Sequence, residues 1–131
     1  MDSKPIVEYR NPAGSFEFQL REGPGFLSIT NRGVMAEEDA RHTADALEEA
    51  RRRLGRPFPL LLDASGMESV EPKARAVMHQ RAVGPDGPCS RIAFVGGSFA
   101  MGTLLNMYAR VANKPMRHFE KREEAEAWLK Q

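Results

Sequence analysis

Pro57-Phe58-Pro59-Leu60-Leu61-Leu62-Asp63-Ala64-Ser65-Gly66 decides the fold. Phe58 and three consecutive leucines sit between prolines and a terminal Asp-Ala-Ser-Gly. A short unbroken apolar run closed by turn residues reads as a strand buried on both faces, the kind found inside a parallel sheet. The expected strand is Leu60–Asp63, with Ala64–Val70 as the loop that follows it. The rest of the chain supplies elements to cover it.

Downstream, Pro72 suits the first position of a helix, where its missing N–H costs nothing. Val70, Ala74, Val77, Met78 and Ala82 fall on the inner face of that helix, and Gly84-Pro85-Asp86-Gly87-Pro88 ends it. Arg91–Val95 is a second buried strand, followed at once by Gly96-Gly97-Ser98. Ser98 suits the cap of a third helix carrying Met101, Leu104, Leu105, Tyr108 and Ala112 on one face. After Asn113-Lys114-Pro115 come a short strand at Met116–Phe119 and a fourth helix, Glu120–Lys130, with Ala125, Trp128 and Leu129 inward.

Upstream, Phe16–Leu20 alternates apolar and polar with the period of a half-buried strand. Glu22-Gly23-Pro24-Gly25 is a turn and Phe26–Thr30 a second strand, which makes an antiparallel hairpin. Residues 1–13 read as a loose N-terminal segment, extended around Ile6–Tyr9. The clearest helix is Ala36–Leu54, with Ala36, Ala40, Ala44, Leu47, Ala50 and Leu54 on one stripe. Glu37, Glu38 and Asp39 open it and Arg51, Arg52 and Arg53 close it. Both clusters oppose the helix dipole, at roughly 0.3–1 kcal/mol per favourable contact. That accounts for the arginine run without invoking nucleic acid. Gly55 follows where a left-handed residue is wanted.

The expectation is one α/β domain over residues 1–131, of about five mostly parallel strands, an N-terminal antiparallel hairpin and four helices. At 131 residues, 41% hydrophobic and 28% charged, the chain has the balance of an ordinary globular domain. Nineteen basic residues against eighteen acidic leave a net charge of +1, without the basic excess of a nucleic-acid binder. Cys89 is the one cysteine, which excludes an intrachain disulfide and a two-cysteine redox or zinc motif. The chain opens Met-Asp-Ser-Lys-Pro without a signal-like apolar region, and no run approaches the roughly 18–20 apolar residues of a membrane span. A cytoplasmic protein of bacterial type is the expectation.

Several stretches together resemble a known family. Phe58–Met67, Lys73-Ala74-Arg75, Ile92–Val95 with Gly97-Ser98, Asn113-Lys114-Pro115, and Phe119 with Glu123-Glu124-Ala125 and Trp128-Leu129 occur in the order found in small bacterial STAS/SpoIIAA-like proteins. The resemblance covers residues 58–131 and implies the SpoIIAA-like fold for the whole chain. It also implies a non-catalytic module that binds a protein partner, in some members switched by phosphorylation of a serine where the helix after the central strand begins. Laid on the antagonists' Asp-x-Ser-Gly segment, Asp63-Ala64-Ser65-Gly66 brings their later serine pair near Pro72 and Lys73, neither of which can be phosphorylated like serine. The switch is therefore expected to be missing. The related Sec14-like fold carries lipids, so the resemblance also keeps an apolar ligand open.

Candidate chemistry gathers where central strands end. Asp63 either faces a ligand or accepts bonds from backbone N–H groups in the turn after it, and turn chemistry favours the latter. Gly96, Gly97 and Ser98 join a strand to a helix and would present N–H groups to an anion, yet they lack the spacing of a phosphate or dinucleotide loop. Lys73, Arg75, His79 and Arg81 make the second helix basic, with Arg75 and His79 on one face. His42, His79 and His118 are scattered, without metal-ligand spacing. Cys89 has no base or orienter beside it in sequence, as a nucleophile requires.

The leading expectation is thus a non-catalytic STAS-like interaction module without cofactor or metal. Its working surface is Asp63, Ser65, Gly66, Lys73, Arg75, Gly96, Gly97 and Ser98, and its partner a protein. The alternative is a binder of a small apolar or anionic ligand, with Met101, Leu104, Leu105 and Tyr108 lining the pocket. A homodimer is compatible with either reading.

Overall fold

Leu60, Leu61 and Leu62 point alternately to the two faces of one sheet. Leu60 and Leu62 join a core with Phe16, Phe18, Leu20, Ile29, Leu47 and Ile92, while Leu61 joins a second core with Phe26, Ala93, Val95, Phe119, Ala125 and Leu129. Leu60 and Leu61 retain 1% and 0% of their exposure, as a strand covered on both faces requires. Each such leucine contributes roughly 1.5–3 kcal/mol of burial.

The computed structural model describes residues 4–84, 86–97 and 114–131. Six strands follow one another across the sheet in chain order: β1 (Val7–Arg10), β2 (Phe16–Gly23), β3 (Phe26–Met35), β4 (Phe58–Val70), β5 (Cys89–Val95) and β6 (Met116–Phe119). β1–β2 and β2–β3 pair antiparallel; β3–β4, β4–β5 and β5–β6 pair parallel. Helices α1 (Glu37–Leu54) and α2 (Pro72–Met78) contribute to the first core, and α3 (Arg122–Leu129) packs on the opposite face. The α/β class, the hairpin and the parallel half match the sequence reading.

Three details differ from it. The N-terminal segment holds a sixth strand, β1, kept in place by side chains as well as by its ladder. The Tyr9 hydroxyl donates to Asp39 Oδ1 at 2.8 Å, and the Asn11 amide donates to the same carboxylate at 3.2 Å. Residues 64–70 are not a loop, because β4 runs on to Val70 and pairs Gly66 with Arg32 and Val70 with Met35. Two register shifts, each adding one residue to β4, bend this extension, and such bulges obscure a period-two pattern. The second helix gives way after Met78 to a π-helical turn at His79–Val83.

Within α1 the inner stripe is Asp39, Ala40, Thr43, Ala44, Ala46 and Leu47. Leu54, expected on that stripe, is 44% exposed at the helix end. Ala36 has no side-chain oxygen to cap the helix, and Asp39 compensates by accepting the Ala36 N–H at 2.9 Å. The acidic first turn, the basic last turn and left-handed Gly55 stand where the dipole argument puts them.

Candidate functional site

The four parallel strands end on one side of the sheet, so Asp63–Val70, Val95–Gly97 and Phe119 meet there, and α1, α2 and α3 each begin at that side. The first bulge of β4 lies immediately after Asp63. It turns the Ser65 N–H back to donate to Asp63 Oδ1 at 2.9 Å. Asp63 Oδ2 lies 3.8 Å from a guanidinium nitrogen of Arg122, in the first turn of α3. The carboxylate is thus engaged inside the fold, as the turn-chemistry reading expects.

Gly96 follows β5 with φ 77°, and a Cβ there would stand 2.8 Å from both Cα and N of Ser65. Its carbonyl oxygen lies 2.8 Å from His118 Nε2. A carbonyl only accepts, so His118 carries a proton on Nε2. Ser65 and Gly66 are exposed. The outcome is a small shelf, exposed at Ser65 and Gly66, tied to Asp63 through Ser65 and to His118 through Gly96, with Arg122 facing the Asp63 carboxylate.

Lys73 and Arg75 are exposed on α2. Lys73 is near enough to α1 to act on Glu37, whose carboxyl is held below its ordinary range mainly by its bond to Arg41 and further by Lys73. Arg81, expected in the same basic group, is committed elsewhere. It bonds Asp45 at 2.5 Å and Glu48 at 2.8 Å, tying the π-helical turn to α1. His79 is half-buried at the start of that turn.

Cys89 is not in a loop: it opens β5, pairs in register with Phe58 and is 3% exposed. Burial pushes its thiol up to about 12. Lys114 donates to its carbonyl oxygen at 3.0 Å. Asp63 pairs with Val95, six residues along β5 from Cys89, a separation of about 20 Å at the rise of a strand. Thiol and carboxylate occupy opposite ends of the sheet and do not form one centre.

A family model described as SpoIIAA-like matches residues 26–130. The chain belongs to this SpoIIAA-like family. Solved structures agree on the fold. An uncharacterised protein with a SpoIIAA-like fold from Shewanella loihica superposes with a TM-score of 0.71 at 16% identity, over 98% of each chain. The anti-sigma-factor antagonist SpoIIAA in its unphosphorylated form gives 0.62 at 14% identity, over 86% of this chain and 97% of that one. An anti-sigma-factor antagonist from Mycobacterium paratuberculosis gives 0.60 at 13% identity, over 94% and 100%. No curated protein matches the sequence. The match to the SpoIIAA-like model begins at β3, so β1 and β2 lie outside it.

Of the expected surface residues, Asp63, Ser65, Gly66 and Gly96 come together at the sheet end, and Gly97 adjoins them in sequence with φ 85°. Lys73 and Arg75 flank α1 on the helix that follows β4. Ser98 and the expected pocket residues Met101, Leu104, Leu105 and Tyr108 lie outside the described residues. Sequence reading missed Arg122 and set His118 aside as scattered. Both were within reach of one signal: they bracket the end of β6, and a parallel strand ends where its neighbours end. No helix among the described residues is long and apolar enough to cross a membrane.

Proposed function

We propose that this SpoIIAA-like chain is a non-catalytic cytoplasmic module that binds a protein partner through the shelf at Asp63–Gly66 and Gly96–Gly97 together with Lys73 and Arg75. The observation that carries it is the engagement of Asp63 by Ser65 N–H and Arg122, which leaves an ordered exposed backbone rather than a free carboxylate. A surface of this kind suits protein recognition, where rigid groups dock at little ordering cost. The buried thiol of Cys89, pushed up to about 12 and remote from Asp63, argues against nucleophilic chemistry. The solved antagonists add the precedent of regulation by partner binding. At the start of α2, where the family resemblance puts their serine pair, stand Pro72 and Lys73. The module accordingly works without that phosphoserine switch.

Native mass spectrometry of protein gently isolated from its host tests this reading. A stoichiometric second polypeptide is expected, and the double variant Lys73→Glu/Arg75→Glu should lose it while keeping the thermal midpoint. A small non-covalent adduct in place of a polypeptide, or full retention of the partner by the double variant, overturns it.

A further inference from the structure

We propose that β1 is a self-complementary edge through which two copies of the chain join their sheets. β1 is one of the two outer strands of the six, at the antiparallel edge of the sheet. The Asn11 N–H donates to the Phe16 carbonyl, so by the alternation of an antiparallel ladder Tyr9 and Val7 turn their backbone groups toward β2. Glu8 and Arg10 turn theirs outward. Both side chains are exposed and share one face of the sheet, since they lie two residues apart. Gln19 bonds one Glu8 oxygen at 3.2 Å, leaving the other available, and Arg10 has no ion pair among the described residues.

Charge selects the register. When two copies of one edge strand pair antiparallel in a continuous sheet, residues opposite each other share a face. A two-fold axis at Glu8 would oppose two carboxylates, and one at Arg10 two guanidinium groups. An axis at Tyr9 opposes Glu8 to Arg10 of the second copy and Arg10 to its Glu8. This register also pairs the residues whose N–H and C=O groups point outward. Tyr9, at the centre, stays on its own chain, stacked on His42 at 4.4 Å and bonded to Asp39. Ile6, 44% exposed, precedes β1 and adds apolar surface beside the junction.

Charged residues on edge strands commonly prevent pairing, because like charges meet. Here the alternation of sign makes the edge its own complement. The contact is short, so the dimer is weak and forms toward the upper end of a dilution series. It leaves the shelf on β4 and β5 free and stands or falls independently of the partner proposed above.

Sedimentation equilibrium on the full chain, over a hundredfold dilution series reaching the millimolar range, is the test. Wild type is expected to associate reversibly to twice its monomer mass. Glu8→Arg and Arg10→Glu each place like charges opposite each other and should weaken association roughly ten-fold or more, given two reversed cross-strand pairs. The double swap Glu8→Arg/Arg10→Glu should restore it. An equal mixture of the two single variants, each self-repelling, should form a mixed dimer. A wild type monomeric throughout the series overturns the proposal, as does association that the single variants leave unchanged or the double swap fails to restore.

Discussion

Gly96 passes so close to Ser65 that the two backbones leave no room for a side chain between them. A Cβ on Gly96 would lie 2.8 Å from Ser65 Cα, and its φ of 77° disfavours any L-residue. Gly96→Ala therefore combines backbone strain of about 1–2 kcal/mol with overlap against main chain that cannot rotate away. The expected cost is about 2–4 kcal/mol in urea unfolding, strain and overlap taken together. Gly55→Ala is the comparison, since Gly55 has φ 75° but nothing within 4 Å of its Cβ position. It should cost only the strain, about 1–2 kcal/mol. Equal costs for the two would mean that the contact with Ser65 does not constrain the shelf.

Asp63 makes two separable contacts. Asn at this position keeps an oxygen for the Ser65 N–H and loses the charge that faces Arg122. The Arg122 side chain is 43% exposed and 3.8 Å away, so the pair contributes at most about 1 kcal/mol. Asp63→Asn should then be nearly neutral, while Asp63→Ala, which removes the acceptor of the exposed Ser65 N–H and leaves it to water, should cost about 0.5–1.5 kcal/mol more. A double-mutant cycle with Arg122→Gln reads the charge pair alone, and a coupling well above about 1 kcal/mol would show that the pair is far better shielded from water than its exposure implies.

These two residues also mark what was legible in the sequence. Leu60–Leu62 announced a strand buried on both faces because an apolar run this short, bounded by prolines and turn residues, leaves no room for a helix. The hairpin and α1 were legible by period, and Asp63 by its turn chemistry. The extension of β4 through Gly66 to Val70 was not, because two bulges break the alternation and the segment reads as polar turn. Tyr9 and Asn11 were illegible for a different reason: their partner, Asp39, is about thirty residues away, and its burial follows from tertiary packing. Leu54 shows the converse error, since a helical period continues past the point where the core ends.

Asp39 joins β1 to α1. Its carboxylate, 2% exposed as a residue, accepts from the Tyr9 hydroxyl, the Asn11 amide and the Ala36 N–H. Asp39→Ala would leave three donors without their acceptor and should cost about 2–4 kcal/mol. Tyr9→Phe removes one bond and should cost about 1 kcal/mol. Hydrogen exchange separates a latch from a general loss of stability. Protection should fall in Val7–Arg10 at Tyr9→Phe before it falls in β4, and uniform loss would show that β1 is not held by this bond.

Cys89 makes the stability of the domain sensitive to alkali. Its thiol is raised from 9.0 to about 12 by burial. Below pH 9 both folded and unfolded chains carry the neutral thiol, and the full stability is present. Between pH 9 and 12 the unfolded chain releases the proton first, so the unfolded state gains and stability falls, at a limiting slope of about 1.4 kcal/mol per pH unit from this group. Tyr9, raised from 10.0 to about 12 by loss of hydration and by its bond to Asp39, acts in the same direction from pH 10 upward. Urea midpoints measured from pH 7 to 10.5 should fall above pH 9 for wild type and more shallowly for Cys89→Ala. The same burial predicts that a thiol reagent at pH 8 labels native protein only as fast as it unfolds. Rapid labelling without denaturant, or an alkaline slope identical in Cys89→Ala, would place the thiol in contact with water.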